Sequence, residues 1–482
     1  MSKGNINTTV IAERLAASYP MEHYLHNRFH LEMPFGLIND PNGLVWHDGY
    51  YHLFWQWNPL GCEHKNKCWA HTKTRDFINY SLPQLALFPS DVHDKDGCYS
   101  GCALSAADKV NIFYTCNRKE GERRIPAQRI GTLQADGTIK KGEIIIADHP
   151  AKVTGHFRDP YLFSRHGKKY LLLGTQRESD KKGTVLLYGE TASGWQNLGE
   201  INTELKDFGY MWECPNMLRF GDVDVMLFCP QGLAAREFDR QNLYQAGYIA
   251  GHLSLADRKL VSHTKFQELD RGFDFYAPQV AQAPDGRCLM FGWLAMWESA
   301  MPEQADNWAC QMTVPRELHY REGRVVSTPA AELESLRQEA YVENACAFSE
   351  ECSFERWNLP AGELCADFDL TSAEGLAVHF CDGASIAVSL LIEKASGSVR
   401  LTRKSPMSGR SEERRGQLAD GTKHISLRVF KDNSSLEFFI NDGDLVFSTR
   451  YYPQMEDRAV IFEPQGGSVL MERGTFYQLA DM

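Results

Sequence analysis

The chain has 482 residues, which is too long for one hydrophobic core of ordinary size and predicts two or more domains. Its composition, 43% hydrophobic and 24% charged, is that of a globular protein. A net charge of −12 at pH 7 argues against nucleic acid or an anionic membrane as the main partner, although it does not exclude a small anionic substrate.

The cysteines and the N-terminus indicate where the protein works. Thirteen cysteines, an odd number, are scattered through the chain instead of forming a dense disulfide framework, so we expect reduced thiols. Residues 1–20 lack the apolar core of a signal peptide, and no stretch approaches the roughly 18 apolar residues of a membrane span. The sequence therefore predicts a cytoplasmic protein, with residues 1–28 as an N-terminal extension.

An internal repeat follows this extension. Five segments share a polar or Pro-containing entry, an apolar strand, a turn and a second apolar strand; these entries begin at Asn39, Tyr99, Arg158, Glu213 and Tyr276. A repeated antiparallel hairpin predicts one four-stranded blade per repeat, and radial closure of the blades would remove long exposed sheet edges. We therefore predict an all-β fold with a five-bladed β-propeller over residues 29–328. A generic β-sandwich is the alternative.

The remainder of the chain predicts a second unit. Residues 329–341 contain good helix formers, with Leu333 and Leu336 three positions apart, and predict a linker helix. Short alternating strands separated by turn residues such as Asn441-Asp442-Gly443 then continue to the C-terminus. Residues 342–482 are therefore predicted to form a C-terminal β-sandwich domain.

Three carboxylates lie at the entries of the repeats. Asp40 and Asp159 each precede a proline and are predicted to occupy the same place in their repeats, and Glu213 lies one residue further upstream. Because the first strand of each blade lines the central channel of a propeller, the three acids should converge at one mouth. Repulsion within such a cluster pushes the pKa values apart, which suits glycosidic cleavage by one nucleophile and one acid. The alternative is that Asp before Pro only begins a turn.

In these segments the sequence resembles glycoside hydrolase family 32, the invertases, inulinases and their relatives. The motifs that carry the resemblance are Leu37-Ile-Asn-Asp-Pro-Asn-Gly43, Phe54-Trp-Gln-Trp-Asn-Pro59, Cys68-Trp-Ala-His71, Tyr99-Ser-Gly-Cys-Ala103, Phe157-Arg-Asp-Pro160, Trp212-Glu-Cys-Pro215, Phe275-Tyr-Ala-Pro-Gln279 and Pro315-Arg-Glu-Leu318. The resemblance implies a five-bladed propeller followed by a β-sandwich, a retaining β-fructofuranosidase, and neither a metal nor a cofactor.

The family pattern also implies roles for single residues. Asp40 matches the nucleophile, Glu213 the general acid/base, and Asp159 the acid that grips fructose hydroxyls. The residues expected to bind substrate are Asn39, Gln56, His64, Trp69, Tyr99, Ser100, Arg158 and Trp293. Arg158 is expected to hold its neighbour Asp159 ionised and so to leave Glu213 as the proton donor.

Some residues depart from the family pattern. Leu37 and Ile38 replace Trp and Met, Ala70 replaces Gly, and Cys102 replaces Ser. Asn216 stands where Asp is usual, which removes an acid expected near Glu213. None of these departures removes a catalytic carboxylate, so activity is still expected.

The segment from Cys62 to Cys68 bears on substrate choice. With Thr154-Gly-His-Phe-Arg158, it looks more like the family members that hydrolyse sucrose 6-phosphate. His64, Lys65 and Lys67 could bind a phosphate, or they could be a solvated basic loop. Zinc at Cys62, Cys68 and His71 is less well supported, because their spacing is irregular for a structural site.

These observations predict hydrolysis of sucrose 6-phosphate, sucrose or both. Raffinose or short fructo-oligosaccharides are alternative substrates, and a non-catalytic sugar-binding propeller is a remote alternative. A small-molecule sugar is the expected partner, and the sequence does not indicate an oligomeric state.

Overall fold

The computed structural model describes residues 6–482, and most of its regular structure is β. The helices are α1 (Thr8–Ala17) and three short 3₁₀ helices, Pro302–Asp306, Ala331–Leu336 and Glu355–Trp357. The Asn7 side chain caps α1 by accepting from the Val10 N–H, and the helix buries Ile11 and Leu15. In residues 6–482 none of the helices has the length and apolar character that a membrane crossing requires.

Residues 36–329 form five successive sheets in which strands adjacent in sequence mostly pair antiparallel. Their strands are β1 (Gly36–His47), β2 (Tyr50–Asn58), β3 (Cys68–Thr74) and β4 (Gln84–Leu87); β5 (Cys98–Ala106), β6 (Lys109–Glu120), β7 (Arg123–Leu133) and β8 (Ile139–Ile146); β9 (Val153–Arg165), β10 (Lys168–Arg177), β11 (Gly183–Thr191) and β12 (Gly194–Glu200); β13 (Met211–Phe220), β14 (Val223–Gln231), β15 (Gly247–Ser254), β16 (Lys259–Val261) and β17 (Gln267–Glu268); and β18 (Tyr276–Gln282), β19 (Cys288–Leu294), β20 (Trp308–Ala309), β21 (Gln311–Met312), β22 (Arg316–Arg321) and β23 (Arg324–Pro329). One of these, β20, leaves the fifth group to pair parallel with β1.

The first strands of the five sheets, β1, β5, β9, β13 and β18, are here called the channel strands. Each contacts the next along the chain, and β18 contacts β1. A cavity of about 10 Å³ between them is lined by residues of all five. The channel strands therefore surround a narrow common space, so side chains that leave them at the same level face one another.

Every channel strand carries a β-bulge at the same level. Two residues of the strand oppose one residue of its partner at Asn39-Asp40, Tyr99-Ser100, Asp159-Pro160, Cys214-Pro215 and Ala277-Pro278. A bulge re-aims side chains and leaves a residue out of the ladder, and proline suits it because it has no N–H to donate. The prolines of the repeat therefore accompany breaks in pairing.

The bulges correct the predicted equivalence of two acids. Asp40 and Asp159 both precede proline, but Asp40 is the second residue of its bulge and Asp159 is the first. Asn39 is therefore the structural counterpart of Asp159. The bulge of β1 lies before Pro41, whereas the bulge of β9 includes Pro160. Aligning the two repeats on their prolines therefore displaces one relative to the other by one residue.

The rest of the chain forms two further sheets around one core. Their strands are β24 (Arg337–Glu343), β25 (Cys346–Phe348), β26 (Cys352–Ser353), β27 (Gly362–Asp369), β28 (Gly375–Asp382), β29 (Ser385–Glu393), β30 (Ser398–Lys404), β31 (Ser411–Gln417), β32 (His424–Lys431), β33 (Ser435–Ile440), β34 (Leu445–Arg450), β35 (Val460–Gln465) and β36 (Val469–Leu479). One sheet has seven strands in the order β24-β36-β27-β32-β33-β34, with β25 also paired to β36, and the other has six in the order β26-β35-β28-β29-β30-β31.

The predicted linker helix over residues 329–341 is corrected in length and type. Only Ala331–Leu336 is helical, as a 3₁₀ helix, and from Arg337 the chain continues as β24. The buried Leu333 and Leu336 are three apart, which matches the period of a 3₁₀ helix. Helix propensity beyond Leu336 is overridden because β24 pairs with β36.

Buried charges join the two parts of the chain. His30 contacts both Asp432 (2.8 Å) and Glu437 (3.0 Å), and Arg316 donates to Glu437 and, at 2.9 Å, to Asp270. All five side chains are without solvent exposure. Removing one partner of a buried ion pair costs about 3–5 kcal/mol, because the other charge is left unpaired. Loss of any one of the five side chains is therefore expected to destabilise the junction between the two parts of the chain.

Candidate active site

The structure brings Asp40, Asp159 and Glu213 to one mouth of the channel. Asp40 and Asp159 lie within bulges, and Glu213 directly precedes one. Asp159 has a φ of 62°, a left-handed conformation that costs a non-glycine residue about 1–3 kcal/mol. The cluster is electrostatically coupled: the charge of Glu213 raises the pKa of both Asp40 and Asp159.

Asp40 is held by a relay of hydrogen bonds. Gln56 Nε2 donates to Ser100 Oγ (2.8 Å), and Ser100 Oγ donates to Asp40 Oδ2 (2.6 Å). Burial raises the pKa of Asp40, while the charge of Lys67 and the bond from Ser100 act in the opposite direction. One carboxylate oxygen is thereby fixed in direction, and its negative charge has a cation close by.

Arg158 does not pair with Asp159 in the predicted way. Its Nε and Nη2 donate to Glu213 Oε1 at 2.9 and 2.6 Å, whereas its nearest approach to Asp159 is 3.9 Å. Burial and the charge of Glu213 raise the pKa of Asp159 to about 7, although Arg158 opposes them. Arg158 thus acts on Asp159 in the expected direction, but burial and Glu213 outweigh it, and the guanidinium makes its hydrogen bonds to Glu213.

The second oxygen of Glu213 has two partners that the sequence analysis missed. Gln231 Nε2 donates to Glu213 Oε2 at 2.8 Å and Tyr276 Oη at 2.7 Å. Tyr276, like Arg158 and Glu213, directly precedes a bulge. Gln231 is the last residue of β14, and Gln56 lies near the end of β2, the corresponding strand of the first repeat. The place of Gln231 near a strand end and the place of Tyr276 at a repeat entry were the signals available in the sequence.

A basic and aromatic group lies on the Asp40 side. His64 stacks on Trp297 with 3.9 Å between ring centroids. Its Nδ1 is approached by Asn39 Nδ2 (3.1 Å) and Lys67 Nζ (3.3 Å), both donors, so Nδ1 is the acceptor. Burial and the charge of Lys67 lower the pKa of His64 to about 3, which keeps the ring neutral.

The three residues of the predicted phosphate cluster do not converge. Lys67 is buried, donates to Asn39 Oδ1 and contributes to the field at Asp40; burial lowers its pKa to about 8. Lys65 is 65% exposed and pairs with Glu63 at 2.6 Å. Only His64 and Lys67 therefore belong to the site.

Two predicted sugar contacts are corrected by burial. Trp69 and Trp293 have no exposed surface, so neither ring can stack on a sugar in this conformation. Trp69 donates to the Tyr99 carbonyl (3.1 Å), and Trp293 meets His64 edge-on. Both lie behind residues that face the site. Asn39 is also fully buried, with its amide engaged by His64 and Lys67.

Two of the three residues suggested as zinc ligands have other partners in the structure. His71 Nε2 contacts His52 Nδ1 at 3.0 Å, and Cys68 Sγ faces the Asn66 carbonyl. Over residues 6–482, the one group of three potential metal ligands within reach of one another is Asp369, His424 and Glu472.

Two departures from the family pattern have structural explanations. Asn216 Nδ2 donates to the Cys214 and Pro278 carbonyls, and its Oδ1 accepts from Gln279. The amide thus joins β13 to β18, which a carboxylate could not do by donation. Cys102 is buried and its Sγ accepts from the Leu162 N–H.

Comparison with known proteins agrees with this geometry. The family model for the N-terminal domain of glycosyl hydrolases family 32 matches residues 30–329, and the model for the C-terminal domain matches residues 332–478. The chain belongs to glycosyl hydrolases family 32.

Individual relatives span nearly the whole chain. A sucrose-6-phosphate hydrolase of Bacillus subtilis is 35% identical over 448 residues, 92% of this chain and 91% of that protein. The structure of a sucrose-6-phosphate hydrolase from Lactobacillus gasseri aligns with a TM-score of 0.86 at 28% identity, covering 99% of this chain and 97% of the other. A Bombyx mori GH32 beta-fructofuranosidase variant in complex with sucrose aligns with a TM-score of 0.84 at 27% identity over 98% of both chains.

Proposed function

We propose that this chain is a retaining β-fructofuranosidase that hydrolyses sucrose 6-phosphate and sucrose. The observation that carries the proposal is the pair of differently held carboxylates at one mouth: Asp40 fixed by Ser100 and Glu213 fixed by Arg158, Gln231 and Tyr276. Family membership supports the hydrolase chemistry, and the names of the relatives support the substrates.

The architecture completes the proposal. We infer that the five sheets of residues 29–328 are the blades of a five-bladed propeller, because the channel strands contact one another in turn around a shared cavity. The proposed β-sandwich domain begins at β24, residue 337, and not at the predicted residue 342, because β24 pairs with β36. A cytoplasmic location is supported by thirteen free cysteines, which suit a reducing compartment.

The first chemical step assigns a task to each acid. Asp40 attacks the anomeric carbon of the fructosyl unit, an ester bond forms, and the glycosidic C–O bond breaks. Glu213 gives its proton to the departing oxygen. In the second step Glu213 takes a proton from water, which attacks the same carbon; the ester bond to Asp40 breaks, the Asp40 carboxylate is regenerated and fructose leaves with retained configuration. The two carboxyl groups of such a pair are expected about 5–5.5 Å apart.

Asp159 is the proposed source of the proton that Glu213 donates. Burial and the charge of Glu213 raise the pKa of Asp159 to about 7, and we infer that the carboxylate cluster shares a proton near neutral pH. Fructose hydroxyls that donate to Asp159 favour its ionised form, and the released proton then has Glu213 as a neighbouring acceptor. Arg158, which touches Glu213 and lies 3.9 Å from Asp159, is placed to shift between the two.

The test of the proposed function is the substrate profile of the wild-type protein. We expect hydrolysis of sucrose 6-phosphate and of sucrose, with the larger kcat/KM for the phosphorylated sugar. Release of glucose or glucose 6-phosphate and the anomeric form of the first fructose produced are measured together. Higher kcat/KM on raffinose than on either substrate, or inversion of configuration, would overturn the proposal.

Lys67 offers a second test, because its position predicts an effect on both substrates. Its positive charge lowers the pKa of Asp40, so Lys67→Met should move the acidic limb of the kcat/KM profile to higher pH. We expect kcat/KM to fall roughly 10- to 100-fold for sucrose and sucrose 6-phosphate alike. Lys65→Met, a matched change in an exposed lysine, should alter neither. Loss confined to sucrose 6-phosphate would instead assign Lys67 to phosphate.

A further inference from the structure

A basic cleft lies beside the carboxylate cluster and is not used by the proposed mechanism. It has a volume of about 560 Å³ and is formed by the β6–β7 hairpin and the start of β9. Its lining residues are Lys119, Gly121, Glu122, Arg123, Arg124, His149, Gly155 and His156. The cleft therefore contains three permanent cations and one carboxylate, an excess of positive charge on a chain whose net charge is −12.

Arg124 is one of two cations in this cleft, with Lys119, that pair with no acid among residues 6–482. Over residues 6–482 its guanidinium makes neither a hydrogen bond nor an ion pair, and it lies 5.9 Å from the centroid of the Tyr99 ring. Arg123, in contrast, pairs with Asp148 at 2.8 Å. Burial lowers the pKa of Arg124, so its charge is incompletely compensated. A half-buried guanidinium with unused donors is suited to a phosphate, whose oxygens match its planar fork.

Two further groups reach the same space. Lys119 pairs directly with Arg124 across the β6–β7 ladder, so their side chains leave the same face. His156 Nδ1 lies 3.1 Å from Arg158 Nη1 and must accept from it. Burial and the charge of Arg158 lower the pKa of His156 to about 4, so the ring is neutral and its proton is on Nε2. His156 is thus a neutral donor that keeps its orientation.

The cleft adjoins the Glu213 side of the cluster. His156 contacts Arg158, and Arg158 contacts Glu213, whereas the group around His64 and Lys67 belongs to Asp40. If Asp40 attacks fructose and Glu213 protonates the leaving oxygen, the departing glucose lies on the Glu213 side. A phosphate on that glucose would point away from fructose, toward the cleft.

On this basis, and resting on the proposed function, we propose that the cleft binds the phosphate of the leaving glucose 6-phosphate unit. Arg124 is the principal ligand, and Lys119 and His156 are additional donors. Gly155 lets β9 approach the backbone of Arg124 closely, because a Cβ there would come within 3.1–3.2 Å of the Arg124 carbonyl oxygen and Cβ. The proposal places substrate choice on this hairpin instead of on Lys65 and Lys67.

The test compares Arg124→Ala with wild type on two substrates. The ratio of kcat/KM for sucrose 6-phosphate to kcat/KM for sucrose should fall roughly 30-fold, because charge-assisted hydrogen bonds to one of the two substrates are lost. Arg124→Lys should give an intermediate ratio, since it keeps the charge and loses the fork. Arg118→Ala is the matched control: Arg118 is in the same hairpin on the opposite face and pairs with Glu120, so the ratio should not change.

A binding measurement separates this proposal from the proposed function. Calorimetry with glucose 6-phosphate should show at least about tenfold weaker binding to Arg124→Ala than to wild type. If wild type hydrolyses neither substrate yet binds glucose 6-phosphate through Arg124, the proposed function fails and the phosphate site stands. An unchanged ratio with unchanged binding, or an equal loss on both substrates, would overturn the phosphate site.

Discussion

Replacing Asp40 by Asn should abolish turnover while leaving the fold intact. The amide keeps the shape of the side chain and can still contact Ser100, but it cannot form the fructosyl ester that the first step requires. We expect kcat on sucrose and on sucrose 6-phosphate to fall by roughly 10⁴-fold or more, as when a covalent nucleophile is removed from other hydrolases. Initial rates at saturating substrate, with circular dichroism as the check on folding, measure this.

A matched control lies in the same hairpin. Asp48 is at the turn between β1 and β2 with a φ of 47°, a conformation that Asn also tolerates. Asp48→Asn should therefore keep wild-type rates. If Asp40→Asn retained more than about 1% of wild-type kcat, Asp40 would not be the nucleophile.

Replacing Glu213 by Gln should give the second largest loss, and one that depends on the leaving group. General acid catalysis contributes about 10²- to 10⁴-fold, so we expect kcat on sucrose to fall within that range. A fructosyl donor whose leaving group departs without a proton, such as fructosyl fluoride, should be consumed with little loss in the first step. The burst of fluoride release before steady state measures that step alone.

The control for this variant removes a carboxylate outside the site. Glu178 is exposed and pairs with Lys181, so Glu178→Gln should behave as wild type on both donors. Equal losses of Glu213→Gln on sucrose and on the fluoride donor would contradict the general-acid role, because they would indicate a defect common to every substrate.

The fold could be anticipated from the sequence wherever local chemistry decides it. Hairpin turns such as His47-Asp48-Gly49 and the apolar strands around them are predicted by composition and alternation. The bulges were not predicted, because pairing with the partner strand fixes where the extra residue lies; the prolines accompany the bulges but do not mark the same position in each of them. For this reason the sequence comparison matched Asp159 with Asp40, although its structural counterpart is the preceding residue, Asn39.

The site shows the same division between local and tertiary information. The family motifs contain all three acids, and the structure places them together. The hydrogen-bond partner of Arg158 could not be deduced from adjacency, because Glu213 approaches from another sheet to 2.6 Å while the neighbour Asp159 lies 3.9 Å away. The sequence analysis connected the segment of His156 with sucrose 6-phosphate but did not single out Arg124, because the two residues are far apart in sequence and meet only where β7 passes β9.

The charge cluster at the junction has a consequence for how such chains diversify. His30, Arg316 and Glu437 come from three distant stretches, yet each neutralises another in a space closed to water. A recombination event that exchanged the C-terminal portion alone would succeed only if the donor brought a compatible acid to that position. The two portions are therefore expected to be inherited as a pair, and chimeras between relatives should tolerate crossovers only where this electrostatic match is preserved.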